Sequence, residues 1–259
     1  MTTPETPEAP TLPAELTAAA RSARHVNVFT GAGMSADSGL DTFRDAQTGI
    51  WSRVDPQAMA SISSWARDPE PMLAWYLWRA ALCREAEPNA GHTAIGEWGR
   101  RGDVALEVTT QNIDDLHERG GATTVHHLHG SLFAYRCSIC GKPARTPELP
   151  REQVERVTPP QCSLCGNPVR PDVVWFGESL PQKEWAAAEE AVRRADLVVV
   201  VGTSGVVWPA AGLPEIAASR GVPIVEVSPA ATELTRLATW SLRTTAAVGL
   251  PALVEALEG

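Results

Sequence analysis

The sequence predicts an open, doubly wound α/β fold: a parallel sheet with helices on both faces, interrupted once by a small module of different composition. Three observations predict it. Short β-branched or apolar runs recur at 26–30, 104–109, 124–128, 197–201 and 223–227, as strands buried on both faces require. Stretches with helical spacing separate them, at 69–85, 92–101, 183–195 and 209–220. Between 133 and 171 the alternation stops, and prolines, charges and cysteines replace any long apolar period.

Bulk properties bound the reading. A chain of 259 residues with 44% hydrophobic content can bury one large core plus a small appended module. The formal charge of −9 argues against a sequence-independent grip on nucleic acid. No run approaches the roughly 18 apolar residues of a membrane span, so no membrane partner is expected. Residues 1–15 are rich in Pro, Thr and Glu, lack the pattern of a signal peptide, and read as a disordered tail. The expected compartment is the reducing cytoplasm, where cysteines bind metal or stay free more often than they pair. A nucleotide-binding domain is expected over 16–132 and 172–259, with the small module at 133–171. A monomer or weak oligomer is expected.

Taken in chain order, the first strand ends in Gly31-Ala32-Gly33-Met34-Ser35-Ala36. This is the alanine-ended Gly-x-Gly-x-x-Ala fingerprint of a Rossmann-like sheet, whose glycines permit a tight turn and close approach of backbone to a pyrophosphate. No acidic partner follows at the end of a second strand. The loop instead continues as Ser38-Gly39-Leu40-Asp41-Thr42-Phe43-Arg44-Asp45, suited to enclosing the ribose–nicotinamide end of a dinucleotide. The strand at 104–109 leads to Gln111-Asn112-Ile113-Asp114, and the strand at 124–128 to His129-Gly130. The strand at 197–201 opens into Gly202-Thr203-Ser204, where backbone N–H groups and hydroxyls can hold a ligand. Ligands of such sheets sit beyond the carboxyl ends of the strands, so one crevice can collect these loops. Amide, carboxylate and imidazole together suggest chemistry on a dinucleotide, with NAD consumed and not merely bound.

The inserted module carries Cys137-x-x-Cys140 and Cys162-x-x-Cys165, with 21 residues (141–161) between the pairs. Two such knuckles can place four thiolates tetrahedrally around one Zn²⁺. Gly141 and Gly166 each follow a pair, where a tight turn suits the metal site. Four sulfur ligands close the site, making the zinc structural. Cytoplasmic disulfides are the competing reading. Cys83 is left over in a helical stretch and reads as a buried apolar residue.

At this point the chain closely resembles the sirtuins. The resemblance is carried by Gly31-Ala-Gly-Met-Ser-Ala-Asp-Ser-Gly39, Thr42-Phe43-Arg44, Thr110-Gln-Asn-Ile-Asp-Asp-Leu-His117, His129-Gly130-Ser131, Val174-Trp-Phe-Gly-Glu178 and Gly202-Thr-Ser204. It runs collinearly from about His25 to Glu258. It implies NAD as co-substrate of protein-lysine deacylation and His129 as general base. Asn112 and Asp114 would hold the nicotinamide amide, with Gln111 on the nearby ribose. It also implies cofactor contacts from Gly31, Ala32, Gly33, Ser35, Ala36, Thr42, Phe43, Arg44, Trp51, Ile113, Gly202, Thr203, Ser204, Ser228 and Ala246. The segment holding Val174, Phe176, Gly177 and Glu178 would pair with an acyl-lysine peptide by β-addition. Tyr76 and Arg79, three apart and so on one helix face, resemble the pair that reads succinyl- or malonyl-lysine carboxylates in the class III branch. Ala60 falls where that branch keeps a small residue to widen the acyl pocket.

The physical logic agrees with that implication. Breaking the glycosidic bond builds positive charge at the ribose, and a dry pocket that fixes the amide favours the step. The acyl oxygen then attacks, and a histidine near neutral pKa deprotonates a ribose hydroxyl. Nicotinamide and O-acyl-ADP-ribose are the expected products. The remaining histidines, His25, His92, His117, His126 and His127, read as structural. Two positions depart from the pattern. Leu40-Asp41 stands where sirtuins have Ile-Pro, and Ser228 stands where they present asparagine to the adenosine ribose, a loss of about 1 kcal/mol for one hydrogen bond. A mono-ADP-ribosyltransferase or NAD hydrolase using the same pocket is the rival enzyme, and a non-enzymatic NAD sensor the rival outside catalysis.

Overall fold

The structure is a computed structural model and describes residues 10–40 and 59–258. Its strands are β1 (His25–Thr30), β2 (Ala105–Thr110), β3 (Val125–His127), β4 (Gly130–Cys137), β5 (Pro143–Ala144), β6 (Val169–Val173), β7 (Leu197–Val201), β8 (Ile224–Val227) and β9 (Trp240–Leu242). Its helices are α1 (Ala14–Ser22), α2 (Ile62–Arg67), α3 (Pro69–Glu85), α4 (Ala90–Arg100), α5 (Leu116–Arg119), α6 (Gln182–Arg194), α7 (Leu213–Ser219) and α8 (Ala246–Glu255). Among the described residues, six strands form a sheet in the order β3-β2-β1-β7-β8-β9, and every pair in it is parallel. The fold is the doubly wound α/β class read from the sequence.

Alternation along the strands explains the two layers of helix. In β7, Leu197, Val199 and Val201 join Val26, Val28 and Val225 against Leu16 of α1, Trp98 of α4 and Leu250 of α8. The intervening Val198 and Val200 join Phe29 and Ile224 against Val192 of α6 and Leu213 of α7. Successive side chains point to opposite faces, so a run of five apolar residues is what a doubly covered central strand needs. Burying each such side chain is worth about 1.5–3 kcal/mol.

Local signals fix the helix starts. Pro69 occupies the first turn of α3, where its missing N–H costs nothing. Asn89 caps α4 by accepting from the N–H groups of Gly91 (2.9 Å) and His92 (3.3 Å). Helix α1 begins at Ala14, inside the segment read as tail, because Leu16 and Ala20 reach the core.

The inserted module has its own antiparallel sheet, β5-β4-β6, reaching from Gly130 to Val173. It is not a separate core. Cys137, Cys162, Tyr135 and Val169 pack in one cluster with Trp75, Tyr76 and Leu77 of α3. Arg156 strengthens that joint from the surface, donating to both oxygens of Asp68 at 2.8 Å and to Glu70 at 2.9 Å, at the start of α3. Among the described residues no helix is long and apolar enough to cross a membrane.

Candidate active site

Strand order reverses between β1 and β7, since β2 and β3 lie to one side and β8 and β9 to the other. The crevice beyond the carboxyl ends at such a switch is where doubly wound sheets bind ligands. A cavity of about 750 Å³ opens there. Gly31, Ala32, Gly33, Ser35 and Ala36 line it after β1, and Gly202, Thr203 and Ser204 after β7. Ser228 and Ala246 line it as well. Thr42, Phe43, Arg44 and Trp51 lie outside the described residues.

The glycines answer first to one another. Gly31 N–H donates to the Val201 carbonyl at 3.0 Å and Gly33 N–H to the Gly202 carbonyl at 2.8 Å. A methyl group on Gly33 would stand 2.8 Å from Gly202 Cα, and one on Gly31 2.7 Å from Thr203 Cβ. Gly202 adds a left-handed φ of 59°. The sequence assigns these glycines to the approach of a pyrophosphate. In the structure they are needed to let two loops interlock, and the cradle results.

Behind the cradle lies a buried polar chain. Ser35 donates its hydroxyl to Asp114 Oδ2 at 3.0 Å and accepts from Asn112 Nδ2 at 3.2 Å. Asp114 Oδ1 takes the Leu116 N–H at 3.1 Å. Burial pushes the Asp114 carboxyl upward, against these hydrogen bonds. Gln111 donates to Thr203 Oγ1 at 2.9 Å and so joins the β2 loop to the β7 loop. Ile113 completes this wall. His127 holds Asn112 in turn, its Nδ1 on the Asn112 carbonyl at 3.0 Å and its Nε2 on Glu118 at 2.8 Å. Burial opposes charge on His127, but Glu118 holds its pKa above the ordinary value.

His129 faces the same cavity. Its Nδ1 lies 3.0 Å from the Gln111 carbonyl, an acceptor, so Nδ1 carries the proton and Nε2 presents a lone pair. Burial pushes its pKa below the ordinary value, against that hydrogen bond. A neutral imidazole with an available Nε2 can take a proton from a bound hydroxyl. The other histidines have structural partners. His25 pairs with Asp196 (3.6 Å) and His126 with Glu107 (2.9 Å). His92 and His117 lie ring to ring at 5.0 Å, and burial keeps both well below ordinary values.

Tyr76 and Arg79 of α3 also line the cavity, with Ala60, Val174, Phe176, Gly177 and Glu178. The Phe176 N–H donates to the Ala60 carbonyl at 2.8 Å, and the Val174 N–H to the His129 carbonyl at 2.9 Å. The segment 174–176 is thereby pinned to both Ala60 and His129. Glu178 is a brace: it accepts from Arg170 at 2.6 and 2.9 Å and from the Trp175 N–H at 2.8 Å. Burial raises its pKa, yet Arg170 and Trp175 hold it below the usual carboxylate range.

Several residues carry no role in the sequence reading: Trp175, which lines the cavity and is quoted there only within a motif, Arg170 stacked on its ring, and the lining group Val207, Trp208 and Pro209. A signal exists for the last, an apolar run directly after the Gly202-Thr203-Ser204 turn that leaves Trp208 63% exposed.

The four cysteines of the module converge as expected. All four sulfurs lie within 4.8 Å of one another, with Cys137 to Cys165 at 3.5 Å and Cys140 to Cys162 at 3.7 Å. A tetrahedron with metal–sulfur distances near ~2.3 Å has edges of about that length. The Ile139 and Cys140 N–H groups point at Cys137 Sγ, both at 3.4 Å, as thiolate charge favours. Gly141 and Gly166 take φ of 70° and 71°, the turns expected after each pair. The donor set fits one structural Zn²⁺.

Comparison with known proteins agrees with this geometry. The model of the Sir2 family matches residues 31–209. A protein of Corynebacterium efficiens named NAD-dependent protein deacylase 2 is 66% identical over 242 residues, 93% of this chain and 95% of that one. A crystal structure of a Sir2 homologue in complex with NAD superposes with a TM-score of 0.87 at 39% identity, covering 98% of this chain and 96% of the other. A Sir2 homologue mutant bound to 2′-O-acetyl-ADP-ribose gives 0.86 at 40% identity, covering 95% and 97%.

Proposed function

The chain belongs to the Sir2 family, and from that premise we propose that it removes succinyl, malonyl and acetyl groups from protein lysines. It is an NAD-dependent protein deacylase with one structural zinc. The observation that carries the acyl assignment is that one cavity is lined both by His129, Asn112 and Asp114 and by Tyr76 and Arg79.

NAD, when bound, supplies the ADP-ribose that accepts the acyl group and releases nicotinamide. The chain does the rest. The interlocked loops at Gly31–Gly33 and Gly202–Ser204 present backbone N–H groups to the phosphates. Asn112 and Asp114, fixed by Ser35, offer a donor and an acceptor to the nicotinamide amide. Water is excluded by the buried wall they share. His129 Nε2 takes a proton from a ribose hydroxyl. Val174 and Phe176 hold the peptide strand, while Arg79 offers a planar fork to an acyl carboxylate. A transferase or hydrolase would need no carboxylate reader beside the base, which favours the deacylase reading. A cytoplasmic location is part of the proposal, supported by a four-cysteine cluster set to hold metal, not disulfides.

Mass spectrometry of one peptide bearing acetyl- or succinyl-lysine, incubated with and without NAD, tests this. NAD-dependent loss of succinyl with formation of O-succinyl-ADP-ribose is expected. Loss of acetyl alone would remove the Tyr76/Arg79 assignment, and NAD consumption without deacylation would favour the rival enzyme.

A further inference from the structure

We propose that Trp175 is a further determinant of acyl-group choice, acting through Tyr76: its indole N–H commits the phenol oxygen as an acceptor and leaves the phenol proton for the acyl group. The inference rests on the acid-acyl reading above.

Tyr76 is 2% exposed, and Trp175 Nε1 donates to its oxygen at 2.9 Å. An indole nitrogen can only donate, so the direction of this bond is fixed. The remaining polarity of Tyr76 is its own O–H, which meets no acceptor among the described residues. A buried donor without an acceptor is costly, and a carboxylate entering the cavity relieves that cost. Burial raises the phenol to about 12, so it stays a donor at any working pH. Arg79, one turn along α3, lines the same space.

Trp175 cannot turn away from this task. The Arg170 guanidinium lies 3.2 Å from the indole ring, and Trp65 packs beside it with ring centroids 5.3 Å apart. Arg170 is 2% exposed and held by Glu178, which also takes the Trp175 backbone N–H. A cation over the ring draws electron density from it and makes the indole N–H a stronger donor. Accepting that stronger bond polarises the phenol O–H in turn. Glu178, Arg170, Trp175 and Tyr76 thus form a relay from the peptide-holding loop to the acyl reader. A charged acceptor gains more from it than a neutral one.

The test compares kcat/KM on one peptide carrying succinyl-lysine or its neutral carboxamide isostere. The proteins are the full-length chain, Arg79→Met, Tyr76→Phe, Trp175→Phe, and a chain with benzothienylalanine at position 175, which keeps the ring and lacks the N–H. Loss of the N–H should cut the preference for succinyl over carboxamide roughly tenfold. Tyr76→Phe should cut it equally, and the double change should add little. Equal slowing of both substrates by the position-175 changes would make Trp175 a packing residue only and overturn the proposal. The benzothienyl variant decides the matter if Trp175→Phe does not fold. Should the unaltered chain show no preference, with Arg79→Met silent, the acid-acyl reading falls and this proposal with it. A preference that depends on Arg79 but survives at position 175 removes Trp175 alone.

Discussion

One tautomer decides whether His129 can act as a base. The Gln111 carbonyl fixes the proton on Nδ1, and burial disfavours a second proton on Nε2. In the proposed role the active form is neutral, so activity is lost as pH falls through the His129 pKa. That pKa lies below the ordinary value of 6.5, so the acid limb of kcat/KM should inflect below pH 6.5. Replacing His129 by Asn should cost about 10²–10⁴ in rate. The residual activity should also lose that inflection. A pH–rate profile of both proteins checks this, and an unchanged limb in the variant would assign the base to another group.

At the scale of elements, the proposed nucleotide cradle is two loops that interlock. Gly33→Ala sets a methyl 2.8 Å from the Gly202 backbone, which has no side chain to yield. The loops must separate, at about 1–3 kcal/mol of overpacking strain. The expected result is a lower Tm and a KM for NAD raised roughly tenfold or more. An unchanged KM by NAD titration would show that the loops do not depend on this contact. The same elements show what is legible in sequence. Strand β7 is readable because both its faces are buried, and α3 because Pro69 opens an apolar helical run. Helix α8 is masked by Pro251 inside it. The β4–β6 sheet is hidden because its strands mix Gly, Ser, Arg, Asp and Pro and pair through a register shift. In the site, the motifs carry the chemistry of each loop, and the loops do meet. The bond from Trp175 to Tyr76 spans 99 residues and has no local signature.

For the whole molecule, the question is which half of the reaction the zinc supports. The cradle is built on the main sheet, whose cores hold no cysteine of the module. The proposed acyl wall is different: Tyr76 and Trp175 share a cluster with Cys137 and Cys162. The chain between the knuckles also grips the start of α3 through Arg156 and Asp68, a bidentate pair at the surface whose own worth is small. Structural zinc in isolated fingers supplies on the order of 10 kcal/mol of folding free energy. Without it the four sulfurs would take up protons and lose the bonds that gather them, and Cys137 and Cys162 would loosen the cluster they share with Tyr76 and Trp175. Removing the metal with a chelator should therefore lower Tm and raise KM for the acyl-lysine peptide well before KM for NAD. Restoring zinc should reverse both. Tryptophan fluorescence should report the change, because Trp65, Trp75 and Trp175 sit in the affected core. If chelation raised both KM values in parallel, the module would be supporting the entire molecule and not its acyl wall.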